Sequence, residues 1–184
     1  LCIESEDDGV HRYAAEALRN LARNDDVRSI LVDEGAVRSL NSLTQRSKDY
    51  LVLQVACGAL VNLALRAECR PLMVRDGAVG PLLQICQRAD DAMVVGYATQ
   101  ALVNLACHDG SREAIVEEGA ASVLAQLCAR TEDPRVLSNT TGALGNLARK
   151  GKLRRRIVED GALPHLINLC TWSEEPAVVR NTAG

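Results

Sequence analysis

The chain has 184 residues, of which 47% are hydrophobic but only 2% aromatic, with no Phe. A core made from Ala, Leu, Val and Ile suits closely packed helices, and so few aromatics leave no stacking platform for single-stranded nucleic acid. A net charge of −3, with Arg supplying 18 of 21 basic residues, makes no global demand for nucleic acid or an anionic membrane.

Two markers share one period. Asn-Leu-Ala occurs at 20–22, 62–64, 104–106 and 146–148, and Gly-Ala at 35–36, 77–78, 119–120 and 161–162, each on a step of 42 residues. A fixed period of this size is the signature of one supersecondary unit stacked on copies of itself. The fold class expected is an all-α solenoid.

In chain order, residues 1–24 supply only the last helix of a unit, behind an acidic stretch at Glu4, Glu6, Asp7 and Asp8. Complete units are expected at 25–66, 67–108 and 109–150, and an incomplete one at 151–184. In the first complete unit, residues 27–34 (VRSILVDE) form a short helix with apolar Ile30 and Leu31, stopped by Gly35 at a corner that needs a positive φ. Residues 36–45 form a second helix with Val37, Leu40 and Leu43 on one face. A polar turn follows from Arg46 to Asp49, and residues 51–65 form a long third helix with the stripe Val52, Ala56, Leu60 and Leu63.

The stripe recurs as Val94, Ala98, Leu102, Leu105 and as Val136, Thr140, Leu144, Leu147. Pro71, Pro81, Pro134, Pro164 and Pro176 all fall in first turns, where a helix tolerates proline. The last unit stops at Gly184 before its own Asn, so the segment is expected to belong to a longer array whose uncapped ends fray or pair with another copy, most of all beyond Trp172, around Val178 and Val179.

Seven cysteines over a core of this size fit free thiols in a reducing compartment, the cytoplasm with the nucleus as alternative. Cys86, Cys128 and Cys170 share the repeat period, but equivalent atoms in stacked helices lie on the order of 10 Å apart. Zinc–sulfur bonds are ~2.3 Å long, so the three read as small core residues and no metal or other cofactor is expected. Cys107 precedes His108 but consecutive helical residues diverge, and no P-loop, HExxH or Ser-His-Asp pattern occurs. Nothing here is an enzyme's signature. Asn139-Thr140-Thr141 is a formal glycosylation sequon inside a third helix and is discounted.

The segments RSILVDEGAVRSL (28–40), RPLMVRDGAVGPL (70–82), REAIVEEGAASVL (112–124) and RRRIVEDGALPHL (154–166), with AL-x-N-LA after each of the first three, resemble the armadillo repeat of catenins, importin-α and vacuolar armadillo scaffolds. The resemblance implies a right-handed superhelix whose third helices line a concave groove. It also implies that Asn20, Asn62, Asn104 and Asn146 form a ladder that clamps the backbone of an extended peptide, since a carboxamide both donates and accepts. The alternative is that each Asn only caps or bridges adjacent repeats. Importin-α carries a Trp one turn before each such Asn, whereas those positions here are Glu16, Gly58, Gln100 and Gly142. The pocket that takes the lysines of a nuclear localisation signal is therefore not expected.

Along the third helices Arg12, Arg19 and Arg23 sit at one end and Arg149 with Lys150 at the other, while most acids fall elsewhere, as at Asp49, Asp90, Asp91, Glu132 and Asp133. The expected function is a non-enzymatic scaffold binding an extended, acidic protein segment, with the Asn side chains free in solvent until it arrives. Two alternatives stand: contact with phosphate, nucleic acid or phosphoinositide through the basic run 150–156 (KGKLRRR), or a purely structural spacer. Nucleic acid is the weaker partner class, and no segment is long and apolar enough for membrane insertion. Arg28, Arg70, Arg112 and Arg154, each opening a first helix, are expected to form a structural ladder of surface hydrogen bonds between repeats.

Overall fold

The computed structural model describes residues 8–172, with side chains described through Cys170. The expected acids at 4–7 and the last helix around Val178 and Val179 lie outside the described residues. Among the described residues every regular element is a helix: α1 (Asp8–Leu21), then the triplets α2 (Asp25–Asp33), α3 (Ala36–Arg46), α4 (Tyr50–Ala64); α5 (Cys69–Arg75), α6 (Val79–Arg88), α7 (Ala92–Ala106); α8 (Arg112–Glu117), α9 (Ala120–Arg130), α10 (Pro134–Ala148); and finally α11 (Arg154–Glu159) and α12 (Ala162–Trp172).

The helices stack in rows. The long helices α1, α4, α7 and α10 lie side by side; α3, α6, α9 and α12 form a second row against them, and the short first helices close the corners. This is the all-α, right-handed solenoid anticipated.

Local chemistry sets each boundary. Gly35, Gly77, Gly119 and Gly161 adopt φ values of 82°, 75°, 85° and 88°, the left-handed corner expected between first and second helices. The second-to-third turn is closed by Asp: Asp49 Oδ1 accepts from Leu51 N at 2.8 Å, Asp91 Oδ1 from Val94 N at 2.8 Å and Asp133 Oδ1 from Val136 N at 2.9 Å. These carboxylates satisfy orphan donors and sit at the positive ends of the long helices. The sequence reading made these residues a polar turn and missed the caps.

Before α8 and α11 a short 3₁₀ turn (Asp109–Ser111, Gly151–Leu153) replaces the start of the first helix, where Gly110 and Gly151 interrupt helical continuity.

The core is the expected stripe. Leu40, Leu60, Leu82, Leu102, Leu124 and Leu144 are fully buried, with Val52, Val94, Val136 and Thr140 alongside them. Ile30, paired with Leu31 in the sequence reading, instead stands on the outer surface, exposed by 58%. Cys86 and Cys128 are buried as small core residues, but Cys170 on α12 is exposed.

Candidate functional site

The row of long helices presents a continuous face, and the ladder residues lie on it. Asn62 Nδ2 donates to the Arg19 carbonyl at 3.0 Å, Asn104 Nδ2 to the Val61 carbonyl at 3.5 Å and Asn146 Nδ2 to the Val103 carbonyl at 3.4 Å. Each accepting carbonyl lies in the last turn of the preceding long helix. There the chain tightens, with Arg23 N and Leu65 N turning to the Asn20 and Asn62 carbonyls. The ladder amide therefore caps its neighbour.

The expectation that unliganded Asn side chains stand free in solvent is corrected: Asn62, Asn104 and Asn146 are half-buried and tied, while Asn20 on the first described helix is exposed. Asn104 Oδ1 in turn accepts from Gln100 Nε2 at 3.5 Å.

The cations of the face fall into two groups. Lys150, placed in the groove from the sequence, is engaged instead by Glu113 and Asp109 of the preceding unit. Lys152 also pairs with Glu113, at 2.6 Å, and the two lysines hold the Glu113 carboxyl below the usual carboxylate range, chiefly by hydrogen bonding. Arg154 Nε donates to the Ala148 carbonyl, Arg155 meets Glu159 at 3.0 Å and Arg156 meets Asp160 at 3.1 Å. Each cation of the 150–156 run thus has a partner within the array. By contrast no carboxylate among the described residues pairs with Arg19, Arg23, Arg135 or Arg149.

Arg19 and Arg135 come together. The Arg19 guanidinium lies 5.8 Å and that of Arg135 5.9 Å from the centroid of the Tyr97 ring on α7. Both are within the range of cation–π attraction. Neither Tyr97 nor Arg135 was singled out from sequence, because the three residues belong to three different helices and meet only through stacking.

The Arg ladder makes hydrogen bonds between repeats, as expected. Nε of Arg28, Arg70 and Arg112 donates to the Ala22, Ala64 and Ala106 carbonyls at 2.7, 2.9 and 2.9 Å, and Nη2 to the Arg23, Leu65 and Cys107 carbonyls. Each guanidinium caps the C-terminus of the long helix before it, at its negative end. Arg112 is buried, Arg28 and Arg70 are half-buried and Arg154 is exposed, so the ladder lies at the surface only in part. A second set escaped the sequence reading: Arg88 donates to the Thr44 and Gln45 carbonyls, and Arg130 to those of Cys86 and Gln87, joining the ends of successive second helices.

Among the described residues no His, Cys, Asp or Glu cluster could hold a metal, and no helix is long and apolar enough to cross a membrane. Cys107 is exposed at the groove edge, 3.4 Å from Asn146 Nδ2, and His108 Nδ1 lies 2.9 Å from Ser111 Oγ rather than against the thiol.

A family model described as Armadillo/beta-catenin-like repeat matches residues 24–65, 66–107 and 108–149. Among solved structures, an engineered protein from the Northeast Structural Genomics Consortium is 30% identical with a TM-score of 0.88, over 99% of this chain and 74% of that one. A designed armadillo repeat protein in complex with the peptide (KR)4 is 23% identical with a TM-score of 0.87, covering 98% of this chain and 76% of that one. A computationally designed armadillo repeat protein for modular peptide recognition is 24% identical with a TM-score of 0.88, covering 98% and 76%. No curated protein matches.

Proposed function

Because the chain belongs to the Armadillo/beta-catenin-like repeat family, we propose that it is a protein-interaction scaffold holding an extended, acidic segment of a partner along the face of α1, α4, α7 and α10. The observation that carries this reading is that Arg19 on α1, Arg135 in the first turn of α10, and Arg23 and Arg149 just past the ends of those two helices have no carboxylate among the described residues paired to them. An unpaired arginine row attracts an anionic ligand and orients it on approach. The designed relative with (KR)4 holds a basic peptide. The arginines here would repel that sequence, so the peptide-binding mode is shared while the charge preference is reversed.

The ladder fits a clamp in a modified form. Asn62 commits one of its two Nδ2 hydrogens to the Arg19 carbonyl, which leaves the other N–H to donate to a peptide and Oδ1 to accept from a backbone N–H. Asn104 and Asn146, at 3.5 and 3.4 Å from their carbonyls, exchange a long bond for a shorter one. The units proposed are 25–66, 67–108 and 109–150, flanked by partial ones at 1–24 and 151–184. The fold is a scaffold type, which supports a non-enzymatic role. Free thiols at Cys57, Cys69, Cys86, Cys107 and Cys128 support a reducing compartment, the cytoplasm or the nucleus. The phosphate-binding alternative is disfavoured because the cations at 150–156 are already engaged.

The test is binding of acidic, neutral and basic peptides in an extended neutral background. Asn62→Ala with Asn104→Ala is expected to weaken the acidic peptide, and Arg19→Glu with Arg149→Glu to slow its association and flatten the salt dependence. Unchanged binding in the double Asn variant would remove the clamp. A preference for the basic peptide would remove the charge assignment.

A further inference from the structure

We infer that Arg19, Tyr97 and Arg135 form a built subsite in the groove that reads one anionic side chain, a carboxylate or a phosphate monoester, of the bound segment. The inference rests on the groove reading above and adds where the charge is read and how the reader is held in place.

Three observations converge. The first is the shared ring: guanidiniums from α1 and α10 approach the Tyr97 ring of α7 at 5.8 and 5.9 Å. A guanidinium resting on an aromatic face keeps its donor edges available, and that planar fork matches carboxylate and phosphate oxygens.

The second is the bed on which the arginines lie. A Cβ added at Gly58 would stand 3.2 Å from Arg19 Nε and 3.3 Å from its Cδ. A Cβ at Gly96 would stand 2.9 Å from both Nε and Nη2 of Arg135. Both glycines are buried in the middle of long helices, where glycine is otherwise unfavourable. Their missing side chains are the space that the two arginines fill.

The third is unmet bonding capacity. Arg135 has nothing better than the Met93 sulfur at 3.3 Å and the Ala92 carbonyl at 3.5 Å. Arg19 pairs with no carboxylate among the described residues. Other arginines, such as Arg28, Arg70 and Arg112, are consumed by capping carbonyls. These two are held in position and left unneutralised.

The probes are extended Ser/Ala peptides that differ only at one central residue: phosphoserine, Asp, Ser or Lys. Affinity is read by fluorescence anisotropy, and the Arg19 and Arg135 Nε–H resonances by NMR. The anionic peptides are expected to bind about tenfold more tightly than the Ser peptide and to shift both arginine resonances. A clear advantage of phosphoserine over Asp assigns the subsite to phosphate, and equality assigns it to carboxylates.

The decisive variant is Gly96→Ala. It changes no charge and favours the helix, so the array folds, yet it displaces the Arg135 guanidinium. It and Tyr97→Leu are expected to abolish most of the anionic advantage, read as the ratio of anionic-peptide to Ser-peptide affinity within each variant. An anionic advantage that survives Gly96→Ala, Tyr97→Leu and Arg135→Ala, or arginine resonances that do not move, overturns the subsite in favour of diffuse groove charge. That outcome differs from failure of the groove itself, in which no peptide binds the parent or the double Asn variant binds all of them equally well.

Discussion

Replacing Arg112 by Ala tests how the long helices are terminated. The guanidinium is 7% exposed. It donates to the Ala106 carbonyl at 2.9 Å and the Cys107 carbonyl at 3.3 Å, and meets Asp109 Oδ1 at 2.8 Å. A hydrogen bond from a charged donor contributes about 1.5–3 kcal/mol, and the low end applies to carbonyls at a helix end that water can partly reach. The two carbonyls together are worth about 3 kcal/mol, and the exposed Asp109 adds less than about 1 kcal/mol.

With a urea slope of about 2 kcal/mol/M, the midpoint should fall by about 1–2 M. Arg112→Lys keeps the charge at the helix end, worth about 0.3–1 kcal/mol, but loses the fork, so most of the deficit remains. Arg154→Ala is the internal comparison. Arg154 is exposed with only its Nε bond to the Ala148 carbonyl, and should lose about 1 kcal/mol.

Urea unfolding followed by circular dichroism gives the size. Hydrogen exchange should place the loss at the α7–α8 junction, because contacts in an array are made with neighbours only. An Arg112→Ala midpoint within about 0.3 M of the parent, or an Arg112→Lys variant equal to it, would refute the capping account.

Other outcomes follow from single geometries. Gly119→Ala is expected to lose about 1–2 kcal/mol from φ alone, since nothing lies within 4 Å of the new Cβ, whereas Gly151→Ala, equally unobstructed and without a positive φ, should be neutral or slightly stabilising; thermal melts of the pair decide it. Asn62→Ala should destabilise the array by about 1 kcal/mol, and Asn104→Ala, whose bond is 3.5 Å against 3.0 Å, by less; reversed order in urea would contradict the ladder as a neighbour cap.

Burial pushes the Cys57, Cys86 and Cys128 thiols from an ordinary value near 9 up to about 12. The unfolded chain therefore ionises first, so their contribution is intact below pH 9 and is lost as pH rises toward about 12. The urea midpoint should decline over that window, less steeply in a variant with all three changed to Ala. Thiol labelling of the native protein should reach the exposed Cys107 and Cys170 before these three.

The register of the helices was legible because the period, the corner glycines and the apolar stripe all act within one unit. Gly35 needs only its own φ, and Leu60 only the face of its own helix. What was not legible depends on the offset between units. The Asn62 amide finds the Arg19 carbonyl because one long helix lies beside the end of another, and nothing in the local sequence sets that offset. Lys150 was read as a groove cation because its partner Glu113 comes within reach only once α10 is stacked on α7. Arg19, Tyr97 and Arg135 are likewise brought together by three separate helices. The glycines beneath them were the available signal: a Gly in the middle of a long buried helix asks what fills the space above it.

Asn62, Asn104, Asn146, Arg88 and Arg130 all reach across to a backbone carbonyl of the preceding unit. A carbonyl is present whatever residue carries it. The joint therefore constrains the side chains of the unit that grips and leaves free those of the unit that is gripped. A copy inserted or duplicated in the array would find its grip already waiting, and an accepting position can change, as Arg19 differs from Val61 and Val103. Ligand preference on the groove face can drift without loosening the spine that carries it.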